Sequence, residues 1–594
     1  MRHQGSLRAA FFIGAPGLRA QVAASSSPSR EQPAPPSLNS PTPALVTQRA
    51  AQRLPRLALL LFCAAYLLPG LFGRDPWKAA DMTAFGYMVD IAQGSTSWWT
   101  PTVAGIPSDS ALLPYWLGAV FIKLLGGLLG PPLAARIPFT VLLGVTLLLT
   151  WYSTYHFART EAAQPVPFAF GGEASPIDYA RAVADGALLA LIASLGLLQL
   201  GHETTPELAQ LASVSLFLYA LAACPFRGWQ SKAAVMVALP ALAASGAPMI
   251  GAMLAVTGGI VCGRSSYEPA RRFTLWIAAG GMLGLIVATL LGAWGWRLDG
   301  YVEASDFVSL GKLFVWFMWP GWLLAFWTLW RWRAQWLNRH ITAPLGCVLV
   351  SVVACLAMGG SDRALMLGLP PLAVLAAFAL PTLHRGTSAA MDWFSVFFFS
   401  VWALAIWVVY ASVYTGVPAK PAANVARLAP GFIPNFSLLA LLTAIAATLA
   451  WLWLVKWRTG RHRHPLWKSL VLPASGVALC WSLLMTLGLP LFDYARSYRP
   501  LVTRIARHVP GDVCIAAPGL SRAQLVALEY FGGYRVDATQ TPDRTLCEFL
   551  IVMETLRRQA PAPQGWQLIT RELRPSDSDE VAAVYRRTAP PQKS

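Results

Sequence analysis

Predominantly apolar stretches recur along this chain at residues 55–73, 134–156, 183–200, 208–224, 233–246, 248–262, 273–294, 313–330, 342–359, 365–383, 392–415, 436–455 and 469–491. All but the short pair 233–246 and 248–262 approach the roughly 20 residues that a helix needs to cross a bilayer. The pattern predicts a polytopic α-helical membrane protein with about 13 transmembrane helices over residues 54–491. One division stays open. Residues 233–246 and 248–262 are split only by Gly246-Ala247-Pro248, and if they form one span the C-terminus changes sides.

The two ends depart from this pattern. Residues 1–53 are rich in Pro, Ser, Ala and Gln and predict a disordered cytoplasmic tail. Residues 492–594 predict a small α/β domain, of a size that folds independently. Val513–Ala516 and Phe549–Val552 read as buried strands, Arg522–Phe531 as a helix, and Val581–Tyr585 as a further strand.

Composition narrows the class. Of 594 residues, 56% are hydrophobic and 12% charged, and the mean hydropathy is +0.50. Single cores stop growing near about 250–300 residues, so one soluble domain does not hide this much apolar surface. The net charge of +18 reads as membrane topology, and no basic–aromatic module suggests a nucleic-acid partner. With the N-terminus inside, the inner segments 46–56, 158–182, 225–232, 263–272, 330–341, 384–392 and 456–468 hold nineteen Lys and Arg. The outer loops before residue 491 hold nine. This bias favours a cytoplasmic N-terminus and, with thirteen spans, an outer C-terminal domain. Cys514 and Cys547 of that domain are a candidate disulfide if it lies in an oxidising compartment, and free thiols otherwise.

The first outer loop, residues 74–133, is far longer than an ordinary connection, and long ordered loops are usually functional. From Asp81 to Gln93, Met82, Phe85, Met88, Val89 and Ala92 recur at helical spacing, which predicts an interfacial helix. Residues 114–129 predict a second. The loop runs Trp77 to Asp81, Gly94, Trp98 to Pro101, Gly105, Asp109, then Pro114-Tyr115-Trp116. Ala134-Ala135-Arg136-Ile137-Pro138 opens the next span, and Asp362-Arg363 precedes Leu369-Pro370-Pro371-Leu372.

In this ordered series the chain resembles the membrane glycosyltransferases of the GT-C fold. Within them it is similar to family 39, which contains protein O-mannosyltransferases and the bacterial aminoarabinose transferases that modify lipid A. The resemblance covers residues 55–385, and the remainder by architecture. It implies transfer of a sugar from a polyprenyl-phosphate carrier to lipid A, another glycan or a protein, at the periplasmic face of a bacterial inner membrane. Such chemistry needs a base or an orienting carboxylate, and cations or a metal for the phosphate leaving group.

Asp81 is the first candidate acid, with helix capping as its structural alternative. Relatives often carry two adjacent acids where this chain has Ala80-Asp81. Asp75 is the reserve, or a turn residue before Pro76. Asp109 matches a second family acid and, if a divalent metal is used, is the candidate ligand. The Lys that usually follows it is replaced by Ser110, which leaves Lys78 as the nearest loop cation. Arg136, Arg297 and Arg363 are candidates for the phosphate, or interface anchors. His202 and Glu203, with Glu207, are candidates for the acceptor mouth. No organic cofactor is implied. Two other classes remain: a secondary transporter, poorly matched by acids that sit in loops rather than mid-span, and a non-catalytic envelope scaffold.

Overall fold

A computed structural model describes residues 42–77, 79–108, 111–295, 306–459, 465–555, 557, 561–577 and 580–588. Among these, eight helices are long and apolar enough to cross a membrane, or up to ten if each of two bent pairs is one span. The chain is thus multi-pass by length and composition. The bent pairs are Val308–Phe317 with Gly321–Arg331, at 88°, and Lys468–Leu484 with Leu489–Arg496, at 71°.

All thirteen expected stretches contain helix, but thirteen full spans are not reached. Arg56–Leu67 and Pro248–Gly263 are short. Gly246, at φ +84°, separates Gly228–Ala244 from Pro248–Gly263, so these are two helices and not one. Residues 114–129, expected as interfacial, belong to Leu112–Leu129, which is itself long and apolar enough to span. Its one charged residue is Lys123, and so little charge fits a bilayer core as well as its surface.

The helix expected after Asp81 runs Ala80–Gln93 and ends at Gly94, whose φ of +78° suits glycine. It buries Met82, Phe85, Met88 and Val89. Two glycines set its neighbours. A Cβ on Gly118 would fall 2.2 Å from the Met88 sulfur, so the helix Leu112–Leu129 packs directly on it. A Cβ on Gly86 would fall 2.2 Å from Val526, on the C-terminal domain's helix Arg522–Gly532. Phe85 and Tyr530 meet edge to face at 4.9 Å across the same contact.

The loop also holds a two-stranded ribbon, β1 (Thr102–Val103) with β2 (Ile106–Pro107). The C-terminal domain has a five-stranded sheet of β3 (Cys514–Ala516), β4 (Arg535–Asp537), β5 (Phe549–Glu554), β6 (Trp566–Leu573) and β7 (Val581–Arg587). The order is β4-β3-β5-β7-β6, with β4, β3 and β5 parallel and β7 and β6 antiparallel. Helix Arg522–Gly532 makes the crossover from β3 to its parallel neighbour β4. Cys514 and Cys547 form a disulfide.

Of the segment assigned to the N-terminal tail, residues 42–53 are packed and the rest lies outside the described residues. Val46 and Ala51 are buried, Thr47 pairs with Glu173, and the Leu54 amide donates to Asp185 at 2.8 Å.

Candidate functional site

The loop His202–Thr205 lies between the short helix Leu195–Leu200 and the helix Pro206–Ala223. Its residues serve two charged groups in alternation. His202 and Thr204 engage Arg74 and Asp81, while Glu203 and Thr205 engage Arg363.

Asp81 is the second residue of its helix and is 1% exposed. Its Oδ1 accepts from the Thr204 amide at 2.7 Å and hydroxyl at 2.6 Å. Its Oδ2 accepts from the Trp77 amide at 3.0 Å and from Arg74 Nη2 at 3.4 Å. Burial alone would raise this carboxyl, but the Arg74 and Arg136 charges and the Thr204 hydrogen bonds hold it below the usual carboxylate range. Arg74 also donates to the His202 carbonyl at 2.8 Å and lies over the Trp77 ring at 4.7 Å. Arg136 is buried within the field of the same charges. Among the described residues, Arg74 Nε and Nη1 and Arg136 Nε have no hydrogen-bond partner. Three buried guanidinium nitrogens without acceptors are costly, at about 1–3 kcal/mol each.

A second layer supports this group. Asp493 Oδ1 accepts from the Trp77 indole and from the Asp75 amide, both at 2.9 Å. The Asp75 carboxylate takes Arg499 Nε at 2.7 Å and Nη2 at 2.6 Å, with the Ser497 hydroxyl at 2.9 Å. Asp75 thereby ties the first loop to the C-terminal domain's leading helix Arg499–Ile505.

On the other side, Arg363 Nη2 meets Glu203 Oε2 at 2.5 Å, and Nη1 meets the Thr205 hydroxyl at 3.1 Å and Glu207 Oε2 at 3.6 Å. Gln199 donates to Glu203 Oε1 at 2.9 Å. Burial pushes the Glu203 carboxyl up; Arg363 opposes this without cancelling it, and the Asp81 charge adds to the rise. Arg363 opens onto a cavity of about 130 Å³, lined also by Glu207, Gln210, Ser245, Trp294 and Ser361. Glu207 Oε2 and Ser245 Oγ are buried atoms without hydrogen-bond partners among the described residues.

An apolar cavity of about 450 Å³ lies between Arg385–Thr415 and the bent pair Lys468–Leu484 and Leu489–Arg496. Phe398, Trp402, Val477, Leu484 and Phe492 line it. Phe492 is the chain neighbour of Asp493, so one helix borders both the apolar space and the charged layer around Trp77.

Of the residues expected from the sequence, Asp75, Asp81 and Arg136 gather on one side of the loop, and Glu203 and Arg363 on the other. His202 points inward, with ring nitrogens 2.7 Å from the Leu198 carbonyl and 2.9 Å from the Tyr66 carbonyl. Burial pushes its pKa down to about 4, against the pull of these carbonyls. Asp362 makes no described contact that fixes Arg363; Glu203 and Thr205 hold it instead. Lys78, Asp109 and Arg297 lie outside the described residues. Among the described residues no group of three or more His, Cys, Asp or Glu fits a metal ion. Arg74, Thr204, Gln210, Ser245 and Asp493 were not singled out from sequence. Their partners are distant along the chain, as in the separation of 123 residues between Asp81 and Thr204.

The architecture is a set of membrane-length helices, an acid-bearing loop between the first two apolar stretches and a small C-terminal sheet domain. It is similar to the crystal structure of ArnT from Cupriavidus metallidurans bound to undecaprenyl phosphate, with a TM-score of 0.57 and 11% identity over 89% of this chain and 97% of that one. It is equally similar to ArnT from the same organism in the apo state, with a TM-score of 0.56 and 12% identity over the same shares. The fold is therefore ArnT-like. No protein-family model and no curated protein matches the sequence.

Proposed function

We propose that this protein is a glycosyltransferase of a bacterial inner membrane, moving a sugar from a polyprenyl-phosphate donor to an envelope acceptor at the periplasmic face. The observation that carries this reading is the junction at Leu489–Arg496. On one side lies an apolar cavity suited to an isoprenoid chain. On the other lie buried Arg74 and Arg136, whose partnerless nitrogens call for an anion. The ArnT structure with undecaprenyl phosphate supports such a lipid here.

In this reading Arg74 and Arg136 take the phosphate. Arg363, already shared between Glu203 and Glu207, is the weaker phosphate group and faces the sugar side instead. Asp81 is a positioning residue: four donors occupy its oxygens, and it fixes Arg74, Trp77 and Thr204. Lys78, Asp109 and Arg297 remain candidates on the loops. The acceptor is lipid A, another glycan or a protein.

Mass spectrometry of lipids, glycans and glycoproteins from a strain lacking the gene tests this. A sugar mass should be missing and should return with the wild-type gene but not with Asp81→Asn. An envelope unchanged by loss of the gene would sink the proposal. In purified protein, Arg74→Met and Arg136→Met should each weaken undecaprenyl phosphate binding about tenfold to a hundredfold, as expected for a lost charge-assisted hydrogen bond.

A further inference from the structure

Helices Arg385–Thr415 and Leu438–Thr459 are both long and apolar enough to cross a membrane, and they are the least buried of the eight such helices. They pair antiparallel along their length. Asp392 meets Arg458 at 2.5 Å, the Trp451 indole donates to the Ser400 hydroxyl at 3.1 Å, and the Trp407 indole donates to the Thr448 hydroxyl at 3.1 Å. At the end nearest their connection the Tyr414 hydroxyl donates to the Asn435 carbonyl at 2.6 Å. Two spans joined in this way place their connection, residues 416–437, at one surface of the bilayer, on a rim where lipid is the neighbour. The C-terminal domain stands at that same surface, since the Pro430 carbonyl accepts from the Tyr494 hydroxyl at 2.8 Å and from Arg504 Nη2 at 3.3 Å.

The connection carries the helix Ala419–Leu428, none of whose residues is buried. Its two faces differ. Lys420, Asn424 and Arg427 follow at helical spacing and share one face, where Arg427 Nη2 reaches Asn424 Oδ1 at 3.4 Å. Pro421, Ala422 and Val425 are half-buried on the other, and the helix lies against Arg385–Thr415. Residues 416–437 hold these two cations and no acid, and neither cation is ion-paired among the described residues. Val417, Leu428, Ile433 and Phe436 are exposed. So many large apolar side chains in one short stretch would form an unusual patch on a water-facing surface. At a bilayer surface they have lipid to enter.

We propose that Ala419–Leu428 is a membrane-surface helix that binds the anionic headgroups of bilayer phospholipids, with Lys420 and Arg427 on the phosphates and Val417, Leu428, Ile433 and Phe436 in the acyl boundary. The proposal goes beyond the transferase reading and does not depend on it. Cations on one face and bulky apolar groups beside it bind an interface through two terms together, charge attraction and apolar burial. Lipid is the favoured occupant because a protein partner would first have to clear it from the rim of the two least buried spans. Phe432, the chain neighbour of Ile433, lines the apolar cavity beside Arg385–Thr415, so the bound headgroups stand at one end of that cavity.

The test places the full-length protein in bilayer nanodiscs that hold, at low mole fraction, a photoactivatable phosphatidylglycerol or a phosphatidylcholine with the same chains. Labelled peptides are then mapped by mass spectrometry. Phosphatidylglycerol should label residues 416–437 more strongly than phosphatidylcholine does. Lys420→Gln and Arg427→Gln should each lower that labelling about fivefold, and the double variant about 25-fold, as expected for cations at an anionic surface. Lys420→Arg with Arg427→Lys should keep it, because the charge stays. Raising the salt from about 0.1 M to about 1 M should shrink the excess over phosphatidylcholine, since the screening length falls to about 3 Å. Labelling of Arg385–Thr415 that is equal in all variants shows that each is folded and inserted. Equal labelling of 416–437 by the two lipids in the wild type overturns the proposal. So does a double variant labelled like wild type, and so does capture of a second copy of the chain or another protein through 416–437 in place of lipid.

Discussion

Asp81 and Arg363 flank the loop His202–Thr205, and Asp81 and the loop's own Glu203 are both nearly sealed from solvent and both paired with arginine. Burial pushes both carboxyls up, yet Asp81 ends below its ordinary range and Glu203 above. The difference is a matter of counting. Asp81 feels the charges of both Arg74 and Arg136 and accepts from four donors. Glu203 shares Arg363 with Glu207 and feels the Asp81 charge. Ion pairing alone therefore does not say whether a buried acid is stabilised as an anion; the number of donors per negative charge does. The Asp81 side is complete and suits holding a geometry. The Arg363 side is short of donors and suits taking up a proton.

The strongest way to break this contrast is Asp81→Ala. It strands the Thr204 and Trp77 amides and the Arg74 guanidinium in a buried site, and should cost about 3–5 kcal/mol. Thermal unfolding in detergent would show it, and a melting temperature matching wild type would mean the Asp81 side is not complete in the sense argued. Glu203→Gln should cost far less, under about 1 kcal/mol, because an amide keeps an acceptor for Arg363 and removes a carboxylate that burial already penalises. Equal losses for the two variants would erase the distinction.

The smallest effect is in the pH dependence, and its sign differs for the two acids. Asp81, with its folded pKa lowered, contributes stability that is present at neutral pH and lost as pH falls through that lowered value. Glu203, with its folded pKa raised, contributes stability that is present in acid and lost as pH rises through the raised value. Melting temperature against pH should therefore flatten on its upper side in Glu203→Gln and remain steep on its acid side. A wild-type slope retained on the upper side would place the titration in another group.

Much of the frame was legible in the sequence because local patterns carry it. The helix after Asp81 and its stop at Gly94, and the disulfide-bearing domain with three of its strands, follow from periodicity and glycine placement. Strand β4 has three residues, and β6 (Trp566–Leu573) mixes polar and apolar residues with little burial, so neither gives a clean strand signal. The count of spans is not confirmed among the described residues, where apolar length and helix breaks conflict at Leu112–Leu129 and at the bent pairs. The site was half legible. Acids and arginines near span ends were visible as candidates, but how they pair depends on contacts between distant segments. His202 is the instructive miss. A loop histidine beside a glutamate suggests a wet mouth, yet its ring packs 4.6 Å from Trp481 and faces two carbonyls, which makes it part of the wall.

The alternation within His202–Thr205 has one more consequence. Because successive residues address opposite neighbours, this stretch behaves as a two-sided comb whose phase matters more than its composition. Inserting a single residue after Gly201 would bring Glu203 to the place of Thr204 and set a carboxylate against Asp81. Homologous chains with this fold should therefore resist changes of length here.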